Sequence, residues 1–158
     1  MHVLSRTCRG FTLIELIATI TIIAILAAVA LPRTTGAAPF LERGYADGVA
    51  AALRQARVVA LASGCEVQFT IDAAGYRAMQ RGASAVIPTH CANAGAWVTN
   101  VQRGDGAPLA APLPNGVALA ANLQFVFATD GGVAAGPLAI TIGAKTLNVD
   151  ASGVVQGP

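Results

Sequence analysis

The sequence predicts an α+β protein in which a long N-terminal helix packs on an antiparallel β-sheet domain. Three observations support this class. Residues 11–31 form an apolar run with one charge, and residues 41–60 repeat apolar side chains at three- and four-residue spacing. After Gly64, short alternating segments are separated by turn residues. A helical segment followed by a series of strands is the pattern of an α+β domain.

Residues 11–31 are predicted to be a transmembrane helix, the membrane half of the long helix. Every position in this run is apolar or threonine except Glu15. A helix of this length can cross a bilayer core of about 30 Å. A carboxylate near the start of such a helix is costly in lipid, so Glu15 is predicted to have a function. A buried carboxylate is tolerated when it meets a positive partner.

Residues 1–10 are predicted to be a leader peptide. A secretory signal peptide has its cleavage site after the apolar core, whereas here the plausible cleavage point, Gly10, precedes the apolar run. Cleavage after Gly10 would leave the membrane segment on the mature chain, with Phe11 as the new N-terminus. Arg6 and Arg9 would hold the leader in the cytoplasm, and the bulk of the chain would then lie on the outer side.

Residues 32–64 are predicted to continue the helix as an amphipathic half. Pro32 ends the apolar run and predicts a helix kink, because proline lacks the backbone donor. Gly64 is well placed to end the helix. The apolar stripe that should pack on the protein's own sheet consists of Leu41, Tyr45, Val49, Leu53, Ala56 and Ala60.

Residues 65–158 are predicted to form a β-rich domain outside the cytoplasm. The clearest signal is a hairpin of residues 65–71 and 76–80 around the turn Asp72-Ala73-Ala74-Gly75. Residues 104–116 are rich in glycine, proline and alanine and are predicted to be a loop. The remaining predicted strands are 96–102, 123–127, 138–142, 146–150 and 154–155.

The charge balance argues against nucleic-acid binding through a basic face. The chain has ten basic and eight acidic residues, and removal of Arg6 and Arg9 with the leader would leave eight of each. A neutral mature chain offers little attraction to phosphate. The sequence also shows no catalytic triad, paired carboxylates or phosphate loop, so no enzyme activity and no cofactor are expected.

Two of the three cysteines would be exported. Cys8 lies in the leader, whereas Cys65 and Cys91 lie in the predicted periplasmic domain, where the oxidising compartment permits a disulfide. Such a bridge would contribute about 3 kcal/mol by restricting the unfolded chain. The alternative is two buried free thiols. His90 beside Cys91 provides no repeated ligand spacing, so no metal site is expected.

The segment Arg9-Gly10-Phe11-Thr12-Leu13-Ile14-Glu15-Leu16 closely resembles the processing site of type IV pilins and type II secretion pseudopilins. The resemblance implies a pilin-like fold and cleavage after Gly10 by prepilin peptidase, an inner-membrane enzyme. It implies that Phe11 becomes the N-methylated first residue. It also implies that Glu15 pairs with the N-terminal amine of a neighbouring subunit during assembly, and that Pro32 stands where pilins often have proline.

The later part of the chain is similar to the GspH/FimT family of minor pseudopilins. The similarity covers residues 53–64 and the turns at Asp130-Gly131 and residues 150–155. It implies a structural subunit of the bacterial inner membrane, single-pass, with its N-terminus cytoplasmic before cleavage and its bulk periplasmic. Its partners would be prepilin peptidase, the inner membrane and other pilin or pseudopilin subunits. A type II secretion pseudopilus and a type IV pilus both remain open.

The alternative function is that of a FimT-like DNA-binding minor pilin in natural transformation, with DNA as a further partner. Proteins of that kind resemble one another in an arginine-bearing C-terminal segment, but residues 153–158 contain no arginine. DNA binding would therefore need Arg77, Arg81 and Arg103 to cluster in space. Arg103-Gly104-Asp105 spells an adhesion tripeptide, but its setting favours an ordinary turn.

Overall fold

The protein is described by a computed structural model that covers residues 12–30, 37–84, 90–92 and 94–157. The chain divides into two compact units, Met1–Ala37 and Ala38–Pro158. The first contains helix α1 (Leu13–Ala30), and helix α2 (Ala37–Ser63) leads into the second. The α+β class is confirmed, because α2 shares a hydrophobic core with antiparallel strands. The predicted kink residue Pro32 lies outside the described residues.

The strands of the second unit form two antiparallel sheets. The first sheet has the order β3-β2-β1-β5, and β4 also pairs with β2. The second has the order β6-β7-β8. The strands are β1 (Val67–Asp72), β2 (Gly75–Arg81), β3 (Trp97–Asn100), β4 (Ala110–Ala111), β5 (Leu123–Phe127), β6 (Leu138–Ile142), β7 (Lys145–Val149) and β8 (Val155–Gln156).

Helix α2 buries one stripe against these strands, as its apolar spacing predicts. Val49, Leu53 and Ala56 are fully buried, and they belong to the same cluster as Phe69 of β1 and Phe127 of β5. Leu41, the first residue of the predicted apolar stripe, is not buried, since 46% of it is exposed. The packed face therefore begins about one helical turn later, at Tyr45.

Strand β1 lies inside the first sheet, between β2 and β5, and buries one of its faces. Val67, Phe69 and Ile71 face the core and are fully buried. The strand pairs with β2 on one side and β5 on the other, with Phe69 opposite Ala78 and Phe125. Burial on one face fixes the register, since a slip of one residue would turn these side chains outward.

The predicted hairpin of residues 65–71 and 76–80 is present, but the strands lie in two sheets. The strand predicted at residues 154–155 does not join the first sheet. Instead β8 pairs with β7, which forms a hairpin with β6. The predicted loop 104–116 also contains β4, whose two residues pair with Tyr76 and Arg77 of β2. A two-residue strand is too short for alternation to be detected in a sequence rich in alanine.

The end of α2 follows the glycine prediction. Gly64 has a φ of 64° and its N–H donates to the carbonyl of Ala60 at 3.0 Å. This left-handed conformation is favourable for glycine and closes the last turn of the helix. Gly64 thereby directs the chain from α2 into Cys65 and β1.

Candidate processing and assembly site

The structure describes one of the three residues predicted for processing and assembly. Glu15 lies in the first turn of α1, whereas Gly10 and Phe11 lie outside the described residues. Their predicted roles in cleavage and N-methylation remain predictions. The predicted membrane span over residues 11–31 also extends beyond the described residues at both ends.

Thr12 caps the helix that carries Glu15. The backbone N–H of Glu15 donates to Thr12 Oγ1 at 3.3 Å and to the Thr12 carbonyl at 3.1 Å. Threonine followed by glutamate three residues later is the sequence pattern of a capping box. The sequence interpretation missed this role, although the spacing of Thr12 and Glu15 carries the signal. The cap fixes the start of α1 just before the carboxylate.

Glu15 lies where a carboxylate is favourable to the helix itself. The N-terminus of an α-helix carries a partial positive charge and unpaired N–H groups, which favour a negative side chain in the first turn. The Glu15 side chain is exposed. Its local role in the helix therefore leaves it open to a second, positive partner.

The surface of α1 is apolar on every side. An α-helix that is hydrophobic all round requires an apolar environment or apolar partners. The described large side chains of α1 that are exposed are Leu13, Ile14, Leu16, Ile17, Ile20, Ile22, Ile23, Ile25 and Leu26.

The two interior threonines of α1 satisfy their hydroxyl groups within the helix. Thr19 Oγ1 donates to the Leu16 carbonyl at 2.8 Å, and Thr21 Oγ1 lies 2.8 Å from the Ala18 carbonyl and 2.9 Å from that of Ile17. Internal hydrogen bonds of this kind let hydroxyl groups enter apolar surroundings at low cost.

Among the helices in the described part of the chain, none meets the combined length and hydropathy needed to cross a membrane.

A comparison with protein families matches residues 5–31 to the prokaryotic N-terminal methylation motif. The chain has the N-terminus of a type IV pilin-like precursor. The matched segment includes Gly10, Phe11, Thr12 and Glu15. It implies a membrane-anchored precursor, and it points to processing by prepilin peptidase and assembly with other pilins. No curated protein and no solved structure is significantly similar to this chain.

A disulfide bond joins Cys65 to Cys91 in the second unit. It links the chain just after α2 to the segment that follows β2. The Cα atoms lie 5.8 Å apart and 26 residues apart in sequence. The sequence left open two buried free thiols, and the structure pairs the two sulfurs.

Two of the three arginines that DNA binding would require are paired with carboxylates. Arg77 Nη1 lies 2.9 Å from Asp72 Oδ2, and Arg81 Nε lies 3.2 Å from Glu66 Oε2. The backbone N–H of Ala74, together with Arg77, holds the pKa of Asp72 below its usual value. These carboxylates reduce the positive potential that Arg77 and Arg81 offer to a phosphate.

The third arginine helps to form a turn. Arg103 donates from Nη2 to the Ala110 carbonyl, and the Arg103 carbonyl accepts from the Gly106 N–H at 3.0 Å. Asp105 Oδ1 accepts from the Ala107 N–H at 3.0 Å. The tripeptide at residues 103–105 therefore lies in a turn held by its own side chains, as its glycine-rich setting indicated.

Proposed function

We propose that the chain is a minor pseudopilin or minor pilin of the GspH/FimT type, a structural subunit and not an enzyme. Prepilin peptidase would cleave it after Gly10, and Phe11 would become the N-methylated first residue. Residues 11–31, of which α1 is the described part, would anchor it in the bacterial inner membrane as a single span with the bulk of the chain in the periplasm. The mature subunit would then enter a type II secretion pseudopilus or a type IV pilus.

The observation that carries this proposal is the exposed carboxylate of Glu15 at the capped start of an apolar helix. An apolar helix surface buries itself among lipid tails or among other apolar helices. In either environment an unpaired carboxylate is costly, and a cation beside it removes most of that cost. Cleavage of a neighbouring subunit would create such a cation, the new N-terminal amine, just before the start of that subunit's own α1.

Two variants separate the charge of Glu15 from its role in the cap. Glu15→Gln keeps the threonine-to-glutamine spacing of a capping box but removes the charge. Thr12→Ala keeps the charge but removes the capping hydroxyl, which costs about 1 kcal/mol of helix stability. If Glu15 acts through its charge, Glu15→Gln should be cleaved normally yet be recovered poorly in sheared filaments. Thr12→Ala should assemble better than Glu15→Gln.

Cleavage itself is tested with Gly10→Val in the producing bacterium. The larger residue should block the peptidase, so the chain should migrate at its precursor size on a gel. A Gly10→Val chain of processed size would contradict the cleavage assignment. Normal filament recovery of Glu15→Gln would contradict the assembly role while leaving the cleavage assignment in place.

The contacts of the three candidate arginines in the second unit give the DNA-binding alternative less support than the pilin proposal has. Arg77 and Arg81 are paired with Asp72 and Glu66, and Arg103 donates to a backbone carbonyl. A gel shift with the full chain in detergent would test it, since phosphate contacts strengthen as salt is lowered. Salt-dependent binding that is lost in Arg81→Gln would favour DNA capture. Absence of binding at low salt would eliminate it.

A further inference from the structure

The fold brings Cys65 beside the neighbouring residues His90 and Cys91, which the sequence spacing did not indicate. The ligand atoms of Cys65, His90 and Cys91 all lie within 4.8 Å of one another. Cys65 is buried, Cys91 is half-buried and His90 is exposed. The sequence had argued against a metal site because no ligand spacing repeats. The fold supplies the third ligand from a different element.

Backbone hydrogen bonds fix this arrangement. Ala83 and Cys91 form an isolated antiparallel bridge, in which the Ser84 N–H donates to the His90 carbonyl at 2.7 Å and the Ala92 N–H donates to the Gly82 carbonyl at 2.8 Å. The bridge holds His90 and Cys91 against the end of β2.

The end of α2 supplies the other side of the cluster. A Cβ atom built on Gly64 would lie 3.7 Å from His90 Cε1, so the imidazole lies beside this turn. The Gly64 carbonyl lies 3.9 Å from Cys91 Sγ, and Cys65 follows in the chain. Two separate segments, the turn after α2 and the bridge after β2, therefore bring the sulfurs and the imidazole together.

We propose that Cys65, His90 and Cys91 form a metal site for Zn²⁺ or a similar thiophilic cation when the disulfide is reduced. Two thiolates and one neutral imidazole are a ligand set that zinc prefers, with a fourth position left to water. Tetrahedral bonds of about 2.3 Å to sulfur place the two sulfur atoms roughly 3.8 Å apart. In the disulfide the Cα atoms of Cys65 and Cys91 lie 5.8 Å apart, and the proposed site requires the two sulfurs to separate by rotation of their side chains.

A dithiol reductant converts the disulfide form of the cluster to the reduced form that binds the metal. The dithiol gives two electrons and two protons to the Cys65–Cys91 bond, which breaks into two thiols while the reductant becomes a disulfide. Zn²⁺ then replaces the two thiol protons, which pass to water. The oxidised chain lacks thiolates and does not bind the metal.

The charges around the cluster are compatible with a bound cation. Cys65, His90 and Cys91 line a cleft that Arg81 also lines. The Arg81 guanidinium pairs with Glu66 at 3.2 Å and stacks on Trp97, 4.1 Å from the ring centroid. The other polar side chains lining the cleft are neutral, namely Ser63, Gln80 and Thr99. Two thiolates with one divalent cation are neutral together, so the metal adds no uncompensated charge beside Arg81.

The test uses the full chain in detergent with Cys8→Ser, which leaves Cys65 and Cys91 as its only cysteines. The protein is reduced with dithiothreitol, desalted under argon and titrated with Co²⁺. Tetrahedral thiolate coordination should produce strong visible bands and a thiolate-to-cobalt absorption in the near ultraviolet. Zn²⁺ should displace the Co²⁺ with one ion per chain. The oxidised chain should show neither signal.

His90→Ala is the decisive variant, and His2→Ala is its matched control because the chain has two histidines. His90→Ala should weaken Zn²⁺ binding at least about tenfold, since even residues that only support a ligand have effects of this size. His2→Ala should bind like the Cys8→Ser parent. Equal affinity of His90→Ala and the parent would overturn the proposal, as would the absence of one-to-one binding by the reduced parent.

Reduction can also unfold the domain, and circular dichroism recorded in parallel covers that outcome. If the reduced parent is unfolded, Zn²⁺ should restore the far-ultraviolet spectrum of the oxidised protein, because metal binding then drives folding. The reduced His90→Ala chain should need a much higher Zn²⁺ concentration. A reduced parent that neither binds nor refolds with Zn²⁺ overturns the proposal as well.

Discussion

Replacement of Gly153 by alanine should destabilise the second unit far more than the same change at Gly136. The two glycines have nearly equal φ angles, 76° and 78°. Alanine in this left-handed region costs about 1–2 kcal/mol at either position. The positions differ in their surroundings. A Cβ atom on Gly153 would lie 2.0 Å from the Gly131 carbonyl oxygen, whereas nothing lies within 4 Å of one on Gly136.

The contact at Gly153 sets the size of the difference. The Gly131 carbonyl that would be displaced also accepts a hydrogen bond from Arg57 Nε at 3.2 Å. A forced backbone shift in a packed region costs about 1–3 kcal/mol, and loss of the arginine bond adds about 1 kcal/mol. Gly153→Ala should therefore cost ~2–4 kcal/mol more than Gly136→Ala.

Urea unfolding of the full chain in detergent measures this difference through the fluorescence of Trp97, the single tryptophan. With a slope of about 1.5 kcal/mol per molar urea, the two midpoints should lie roughly 1.3–2.7 M apart. The matched φ angles cancel the backbone strain, so the gap isolates the contact with Gly131. Midpoints within about 0.3 M of each other would refute the packing of the Gly153 turn on Gly131.

Two further predictions concern the core and acid stability. Leu53→Ala should lower the free energy of unfolding by about 2–5 kcal/mol, because Leu53 is fully buried, whereas Leu61→Ala on the same helix should cost less than about 1 kcal/mol, since Leu61 is 46% exposed; equal urea midpoints would contradict the packing of α2. Asp72 has a lowered pKa, so its stabilising contribution is present above its unfolded pKa and is lost as the pH falls through the folded value. Asp72→Asn should lose stability at pH 7 and show a shallower further loss between about pH 5 and pH 2, and an acid profile identical to that of the parent would contradict this assignment.

The elements that could be predicted are those with a strong local pattern. The stripe of α2, the stop at Gly64 and the hairpin at Asp72–Gly75 all depend on neighbours within a few residues. The features that the sequence did not predict depend on contacts between residues far apart in the chain. Leu41 has helical spacing but is 46% exposed, and β4 is defined only by the pairing of two alanines with Tyr76 and Arg77. No spacing rule contains that information.

The candidate sites show the same division. Thr12 and Glu15 are the first and last positions of one four-residue motif, so the sequence carries the signal for the cap even though its interpretation missed it. His90 reaches Cys65 only because the bridge at Ala83 and Cys91 folds its segment against the turn after α2. Sequence reasoning sought repeated ligand spacing and therefore rejected the cluster. Ligands brought together from separate elements have no such spacing to find.

The position of Glu15 links local helix physics to assembly. In water the cap of Thr12 and the dipole of α1 suffice to explain an acidic residue in the first turn. The apolar surface of α1 makes water an unfavourable environment for the helix as a whole. Once the helix is surrounded by lipid or other helices, the helix dipole alone offsets little of the cost of a full negative charge. The proposed cleavage after Gly10 would create a positive amine at this end of every subunit, and this amine would be the partner that the carboxylate needs.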